Sequence, residues 1–308
     1  MNAPLKYHPI TLADRTLFLE RTTTGSGQNC DLNFMNIFSW QTLYQTEVAQ
    51  WEKHLVCRFK VREHTAFMGI FDPNGLTELL DLLLDEAVRN GHPFLLMGIC
   101  EDLIPYIENA KPGYFLFECN RDYCDYIYLR KSLASLTGKK LQSKRNFVNR
   151  FRKSYPDYTY QDLRKEHFPA CLALAKQWMQ TGSPTNRQET EAEQHSMKRV
   201  FENWDNLGAT GGTLFVGENL VAFTYGAPIN STIFDVCAEK ANPDYKGSYA
   251  TINKEFVTHL PEQFTLINRE EDLGITGLRK AKLSYHPETI LKKYAVMAKH
   301  HFQHGYIK

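Results

Sequence analysis

Gly212–Thr213–Leu214–Phe215–Val216, the turn Gly217–Glu218–Asn219 and the returning run Leu220 to Ala227 read as a β-hairpin. Ser231 to Ala238 alternates as a third strand, and a loop from Glu239 to Lys246 leads into a helix from Ser248 to Leu260. Phe264–Thr265–Leu266–Ile267 is the next strand. Upstream lie a strand candidate, Tyr158–Thr159–Tyr160, and a helix from His167 to Met179 with Leu172, Leu174, Ala175 and Trp178 at helical spacing. A polar stretch, Thr181 to Gln194, reads as a surface loop, and a further helix is expected to close the half. Strand, helix, meander, helix, strand and helix in that order predict an α+β domain with a mixed sheet.

The first half repeats the order. Tyr7 to Ile10 is a strand candidate, Leu12 to Arg21 a helix, and the leucine-rich helix Leu76 to Asn90 runs into Phe94–Leu95–Leu96–Met97. Glu101–Asp102–Leu103 follows Phe94 as Glu271–Asp272–Leu273 follows Phe264, a constant offset of 170. Two copies of one domain follow from a period this long. Between the copies, Arg130 to Lys153 holds nine basic residues and no acid. Leu141, Phe147, Val148 and Phe151 share one side of it, which predicts an amphipathic helix joining the domains, its apolar stripe buried between them. The expected division is 1–130, a basic linker helix 131–156, and 157–308.

Composition narrows the class. In 308 residues, 36 Lys and Arg balance 35 Asp and Glu, so affinity for nucleic acid or membrane has to come from a local patch. Apolar residues at 43% and charged residues at 23% exclude wholesale disorder and a coiled-coil rod. No apolar run reaches membrane-spanning length and no signal peptide is legible at the N-terminus. Seven cysteines without CxxC spacing suit reduced thiols, and a cytoplasmic protein is expected. No Walker loop, GxGxxG, HExxH or nucleophile elbow is present. His300, His301 and His304 lack acidic or thiol partners in sequence, so no metal is expected.

Two segments carry candidate chemistry. Asp244–Tyr245–Lys246–Gly247–Ser248–Tyr249–Ala250 is a loop entering a helix, where unpaired amides, a glycine and a cation suit a phosphate; an ordinary glycine-led helix start reads equally well. Asn268 to Lys282 lies past a strand end, dense in charge and holding two glycines. Arg279 and Lys282, one turn apart, can point at one anionic group, with nearby acids holding them in place. A salt-laced surface loop is the plain alternative.

Asp125–Tyr126–Ile127–Tyr128–Leu129–Arg130, Leu133 to Gly138 and Lys139 to Asn146 resemble the C-terminal domain of lysyl-phosphatidylglycerol synthases, and more closely the stand-alone bacterial members of that family. Ile267 to Gly274 and Leu278 to Leu283 resemble the family's second signature. The resemblance implies two GNAT-like domains in tandem, similar to Fem-type peptidyltransferases, and transfer of an acyl or aminoacyl group to an amine or hydroxyl. The GNAT donor motif Gln/Arg-x-x-Gly-x-Gly/Ala is matched here by Asp244 to Tyr249, with only its first glycine kept.

On that basis the expected function is acyl transfer from acyl-CoA in the second domain. The alternatives are an aminoacyl-tRNA-dependent transferase, with the basic helix 139–153 touching the tRNA, and a non-catalytic CoA-binding module. Lys246, Gly247, Ser248, Tyr249, Ala250 and Asn268 are expected to hold the donor. Backbone amides of Val236, Cys237 and Ala238 would meet the oxyanion if that strand splays from its neighbour. Glu239 is the expected general base, with Glu270 and Asp272 as alternatives. Tyr285 or Tyr294 would protonate the leaving group, and Cys237 reads as a strand residue rather than a nucleophile. The acceptor is expected to be a small molecule or a peptide.

Overall fold

The computed structural model describes residues 4–24, 27–181 and 187–299. It resolves into two compact units, one made of residues up to Asp125 together with those from Leu291 on, the other of Tyr126–Ile290.

In the first unit the chain runs β1 (His8–Pro9), α1 (Arg15–Thr24), α2 (Phe34–Tyr44), β2 (Glu47–Trp51), β3 (His54–Val61) and β4 (His64–Ile70). It continues through α3 (Leu76–Arg89), β5 (Leu95–Cys100), α4 (Ile104–Ala110) and β6 (Phe115–Cys119). Leu76, Leu79, Leu80 and Leu83 of α3, at helical spacing, bury against Val56, Phe67, Phe94 and Leu96 of the sheet. The second unit runs β7 (Asp125–Leu129), α5 (Arg130–Ser135), α6 (Gln142–Ser154), β8 (Thr159–Asp162), α7 (Phe168–Thr181), α8 (Arg187–Glu202) and α9 (Trp204–Leu207). The meander β9 (Thr210–Val216), β10 (Asn219–Pro228) and β11 (Ile233–Ala241) follows, then α10 (Ser248–His259), β12 (Leu266–Asn268), α11 (Thr276–Leu283), β13 (Thr289–Leu291) and β14 (Lys293–Ala298).

The sheets are ordered β1-β2-β3-β4-β5-β14-β6 and β8-β9-β10-β11-β12-β7-β13. Read along each sheet the pattern is the same, which agrees with two GNAT-like domains. In each, one strand between the fifth and the last comes from the other half of the sequence. β7 leaves the first half to pair with β12, and β14 returns to lie between β5 and β6. The division at 130 and 157 is therefore corrected. The reason is strand pairing: both exchanged segments are ordinary buried strands whose hydrogen-bonding edges are supplied by distant residues.

The linker reading is corrected as well. Residues 131–156 belong to the second unit as α5, α6 and a turn between them, with Val148 packing beside Phe256 and Val257 of α10 and Phe151 beside Ile252. Leu141, Val148 and Phe151 are buried as expected, but Phe147 is 44% exposed. At 100° per residue it lies about 40° beyond Phe151, one step past the edge of the packed arc. The polar stretch 181–194 is not one loop, since α8 begins at Arg187. The closing segment is α11 followed by strands rather than one final helix. His300, His301 and His304 lie outside the described residues.

Gly247, the N-cap of α10, has φ 101°. A Cβ there would collide with the Phe147 carbonyl oxygen and stand 3.1 Å from the Phe151 Cβ. The glycine thus lets α6 cross the start of α10. Gly247→Ala should cost about 1–3 kcal/mol, from the left-handed backbone and the clash together. A urea unfolding midpoint equal to wild type would contradict this packing.

Candidate active site

β11 and β12 run parallel for three pairs, Ile233↔Leu266, Phe234↔Ile267 and Asp235↔Asn268. Beyond Asn268 the chain turns its hydrogen bonds to β7, with Arg269 donating to the Tyr126 carbonyl and Tyr126 to that of Glu270. β11 continues to Ala241 without a ladder partner on that side, and Arg269 reaches it through its side chain instead.

A bulge aims a side chain into this region. β11 pairs with β10 as Gly226↔Val236 and then Tyr225↔Ala238, leaving Cys237 as the extra residue. Before the bulge, Phe234 and Val236 face the α10 core. After it the alternation flips, and Glu239 turns to α10, where one carboxylate oxygen accepts from Asn253 Nδ2 at 3.2 Å. Its other oxygen accepts from Arg269 Nη2 at 2.9 Å. Both side chains of that ion pair are 11% exposed.

The Arg269 guanidinium lies 5.0 Å from the ring centre of buried Tyr285, and Lys144 Nζ from α6 lies 4.1 Å from the same ring. Burial pushes the Tyr285 hydroxyl up. Lys144 is pulled down to about 8, by burial first and then by the Arg269 cation, with Glu239 opposing. The ammonium therefore loses its proton near pH 8 rather than above 10, and the neutral amine is present in quantity just above neutrality. Acetylation by an activated ester at pH 8 should mark Lys144 about ten times faster than exposed lysines, a roughly hundredfold larger share of neutral amine being partly offset by its half-buried position and weaker nucleophilicity. Peptide mass spectrometry reads this directly, and a Lys144 rate midpoint above pH 10 would contradict the environment described.

Two buried polar atoms at this cluster have no hydrogen-bond partner in the described structure: Asn253 Oδ1, an acceptor, and Arg269 Nη1, a donor. Buried polar groups are nearly always satisfied, so these two atoms beside one carboxylate are met by water or by a ligand carrying the complementary groups, with the Tyr285 hydroxyl already a partner of the Arg269 guanidinium.

The remaining expected residues fall as follows. Val236 and Ala250 are buried in the α10 core, and Ala238 pairs with Tyr225. The Cys237 thiol donates to Asp235 Oδ2 at 3.5 Å, and burial holds it well above the usual range, as befits a strand residue. Ser248 Oγ donates to the Asn242 carbonyl and Tyr249 packs beside the cluster of Phe151, Leu214 and Ile252, while Lys246 is exposed. Asn268 is fully buried and accepts from the Glu270 amide at 2.7 Å.

Asp272 is fully buried and accepts from Tyr126 Oη at 2.5 Å, Arg279 Nε at 2.8 Å, Arg279 Nη2 at 2.7 Å and the Gly274 amide at 3.0 Å. Burial works against its charge, but these donors win and hold the carboxyl at about 2. A carboxylate so low is a poor proton acceptor near pH 7, and it serves to fix the loop. Arg279 and Lys282 do not converge on one anion: Arg279 grips Asp272, and Lys282 Nζ donates to the Arg269 and Glu271 carbonyls. Tyr294 lies on β14 in the first unit, where its hydroxyl donates to Glu101 at 3.2 Å.

Arg269, Asn253 and Lys144 are the residues that the sequence reading did not single out. Arg269 stood among a run of charges and Lys144 among nine cations. Asn253 had the one available signal, a polar residue at a buried position of α10.

Residues 24–297 match the family model described as phosphatidylglycerol lysyltransferase, C-terminal, and the chain belongs to that family. It is similar to a conserved protein of unknown function from Bacteroides thetaiotaomicron, with 42% identity, TM-score 0.92, and coverage of 96% of this chain and 100% of that one. L-PGS from Bacillus licheniformis shares the fold at 14% identity and TM-score 0.65, over 97% of this chain and 94% of the other. FemX does so at 12% identity and TM-score 0.60, over 98% and 100%. At 14% and 12% identity these two show a shared fold. Among the described residues no helix is long and apolar enough to cross a membrane.

Proposed function

We propose that this protein transfers an aminoacyl group from an aminoacyl-tRNA to an amine or hydroxyl acceptor, at the Glu239–Arg269–Asn253 cluster. The observation that carries the reading is the pair of unsatisfied buried atoms beside Glu239. A plain acyl group offers a carbonyl oxygen and nothing else. An aminoacyl ester offers that oxygen for Arg269 Nη1 and also an α-ammonium for Asn253 Oδ1 and the Glu239 carboxylate. Family membership and the likeness to FemX support the same class of donor.

In the reaction the acceptor's nitrogen or oxygen bonds to the ester carbonyl carbon and the bond to the ribose oxygen breaks. Arg269 stabilises the oxyanion as charge gathers there. Glu239 anchors the ammonium and orients both Asn253 and Arg269. Lys144, with both protonation states present near neutrality, suits taking the proton that the acceptor loses and handing it to the departing ribose oxygen. Such a reaction belongs where charged tRNA is made, in the cytoplasm, which also suits seven unbridged cysteines.

Acyl-CoA remains the rival donor, favoured by the exposed Lys246 at the start of α10. Bulk tRNA charged with labelled amino acids, and acetyl-CoA in parallel, separate the two. Protein-dependent loss of label from RNA with no thiol released supports the reading. Thiol release with the charged RNA untouched overturns it, and consumption of neither donor by any acceptor tried favours a binding module.

A further inference from the structure

The nine cations between Arg130 and Lys153 do not form one uniform face. Arg130 donates to the Thr258 and Leu260 carbonyls, Arg145 to those of Leu136 and Gly138, and Arg152 pairs with Glu255 at 2.8 Å. These three hold the unit together. Lys139, Lys140 and Arg150 are instead exposed, with no ion pair to any described carboxylate. On the same stretch stands Phe147, 44% exposed, with Lys144 Nζ 6.0 Å from its ring centre. Its own carbonyl lies against Gly247, next to the exposed Lys246.

An aromatic ring left in solvent, one helical turn from Arg150 and from the lysine that reaches Tyr285, has the composition of a stacking platform in a cationic track. The segment has no acid of its own to repel a backbone phosphate. We propose that Phe147 stacks the terminal base of the donor's unpaired 3′ end, with Lys139, Lys140, Arg150 and Lys246 carrying its phosphates and Lys144 linking this seat to the cluster below. This rests on the aminoacyl-tRNA reading and names the surface that the RNA uses. A single-stranded end fits better than a duplex, because stacking on an exposed ring needs an unpaired base.

The test is binding of a fluorescent RNA minihelix ending in an unpaired ACCA, and of the same hairpin trimmed blunt, to wild type, Phe147→Ala, Phe147→Trp and Lys139→Glu/Lys140→Glu/Arg150→Glu. Phe147 is exposed, so its truncation spares the core. Phe147→Ala should weaken the tailed RNA about 10- to 100-fold and leave the blunt hairpin within about twofold, with Phe147→Trp restoring binding. The triple variant should weaken both RNAs and flatten the dependence of log K on log salt. Equal loss of tailed and blunt RNA, or no loss, in Phe147→Ala overturns the proposal. If that variant also discharges aminoacyl-tRNA at the wild-type rate, the aminoacyl-transfer reading stands and only the platform falls. Wild type that binds neither RNA at low salt overturns both.

Discussion

Lys293→Met should lower the protein's stability by about 3–5 kcal/mol, because it strips the cation from a buried ion triad. Lys293 Nζ sits 3.0 Å from Asp31 and 2.8 Å from Asp125, with its side chain 5% exposed and that of Asp125 fully buried. Asp125 also accepts from the Cys30 amide at 2.9 Å, so its carboxylate is built into the unit. Removing the lysine leaves the fully buried Asp125 carboxylate without its cation, which costs more than the pair itself contributes. The position matters because Lys293 opens β14, the strand whose sequence comes from the far end of the chain. A Tm drop of about 10 °C by scanning calorimetry is expected, with Asp125→Asn in the same chain recovering part of it. A fall of less than 2 °C would show that β14 is held by its ladder and its apolar residues alone.

Glu239→Gln should reduce aminoacyl transfer about 100-fold or more, and because it also breaks the buried ion pair with Arg269 it should lower stability by about 3 kcal/mol, so activity is compared on folded protein. The substitution keeps the shape and the contact to Asn253 but removes the charge that faces the substrate ammonium. Losing one partner of a desolvated charge pair costs roughly 2–5 kcal/mol, which sets the scale of the loss. The effect should fall on kcat/KM for aminoacyl-tRNA. Activity within threefold of wild type in a single-turnover discharge assay would remove Glu239 from substrate contact.

The sequence was a good guide wherever structure is local. The meander from Gly212, the helix at Leu76 and the helix at Ser248 are set by alternation and helical spacing, and they form where the residues predict. The exchange of β7 and β14 was beyond such a reading. Tyr126–Ile127–Tyr128 has the look of a strand wherever it pairs, and its partner is set by tertiary packing rather than by its neighbours. Phe147 shows the same limit on a smaller scale, since one helical step separates a core residue from an exposed one.

At the site, the approach of Glu239 beyond the end of the β11–β12 ladder at Asp235 depends on a bulge at Cys237, which no residue pattern announces. Asp272, Arg279 and Lys282 drew notice for their charge, and the structure uses that charge to fix the loop. Arg269 is distinguished from them only by where its guanidinium lands.

To accept an aminoacyl donor, the cluster has to hold an ammonium as well as a carbonyl. The most direct measurement is titration calorimetry with a stable adenosine carrying an amide-linked amino acid at its 3′ position, against the same compound lacking the α-amino group. The aminoacyl analogue should bind about 100-fold more tightly, and the difference should vanish in Asn253→Leu, which removes the waiting acceptor. Equal affinities for the two compounds in wild type would contradict the account and return the site to a plain acyl donor.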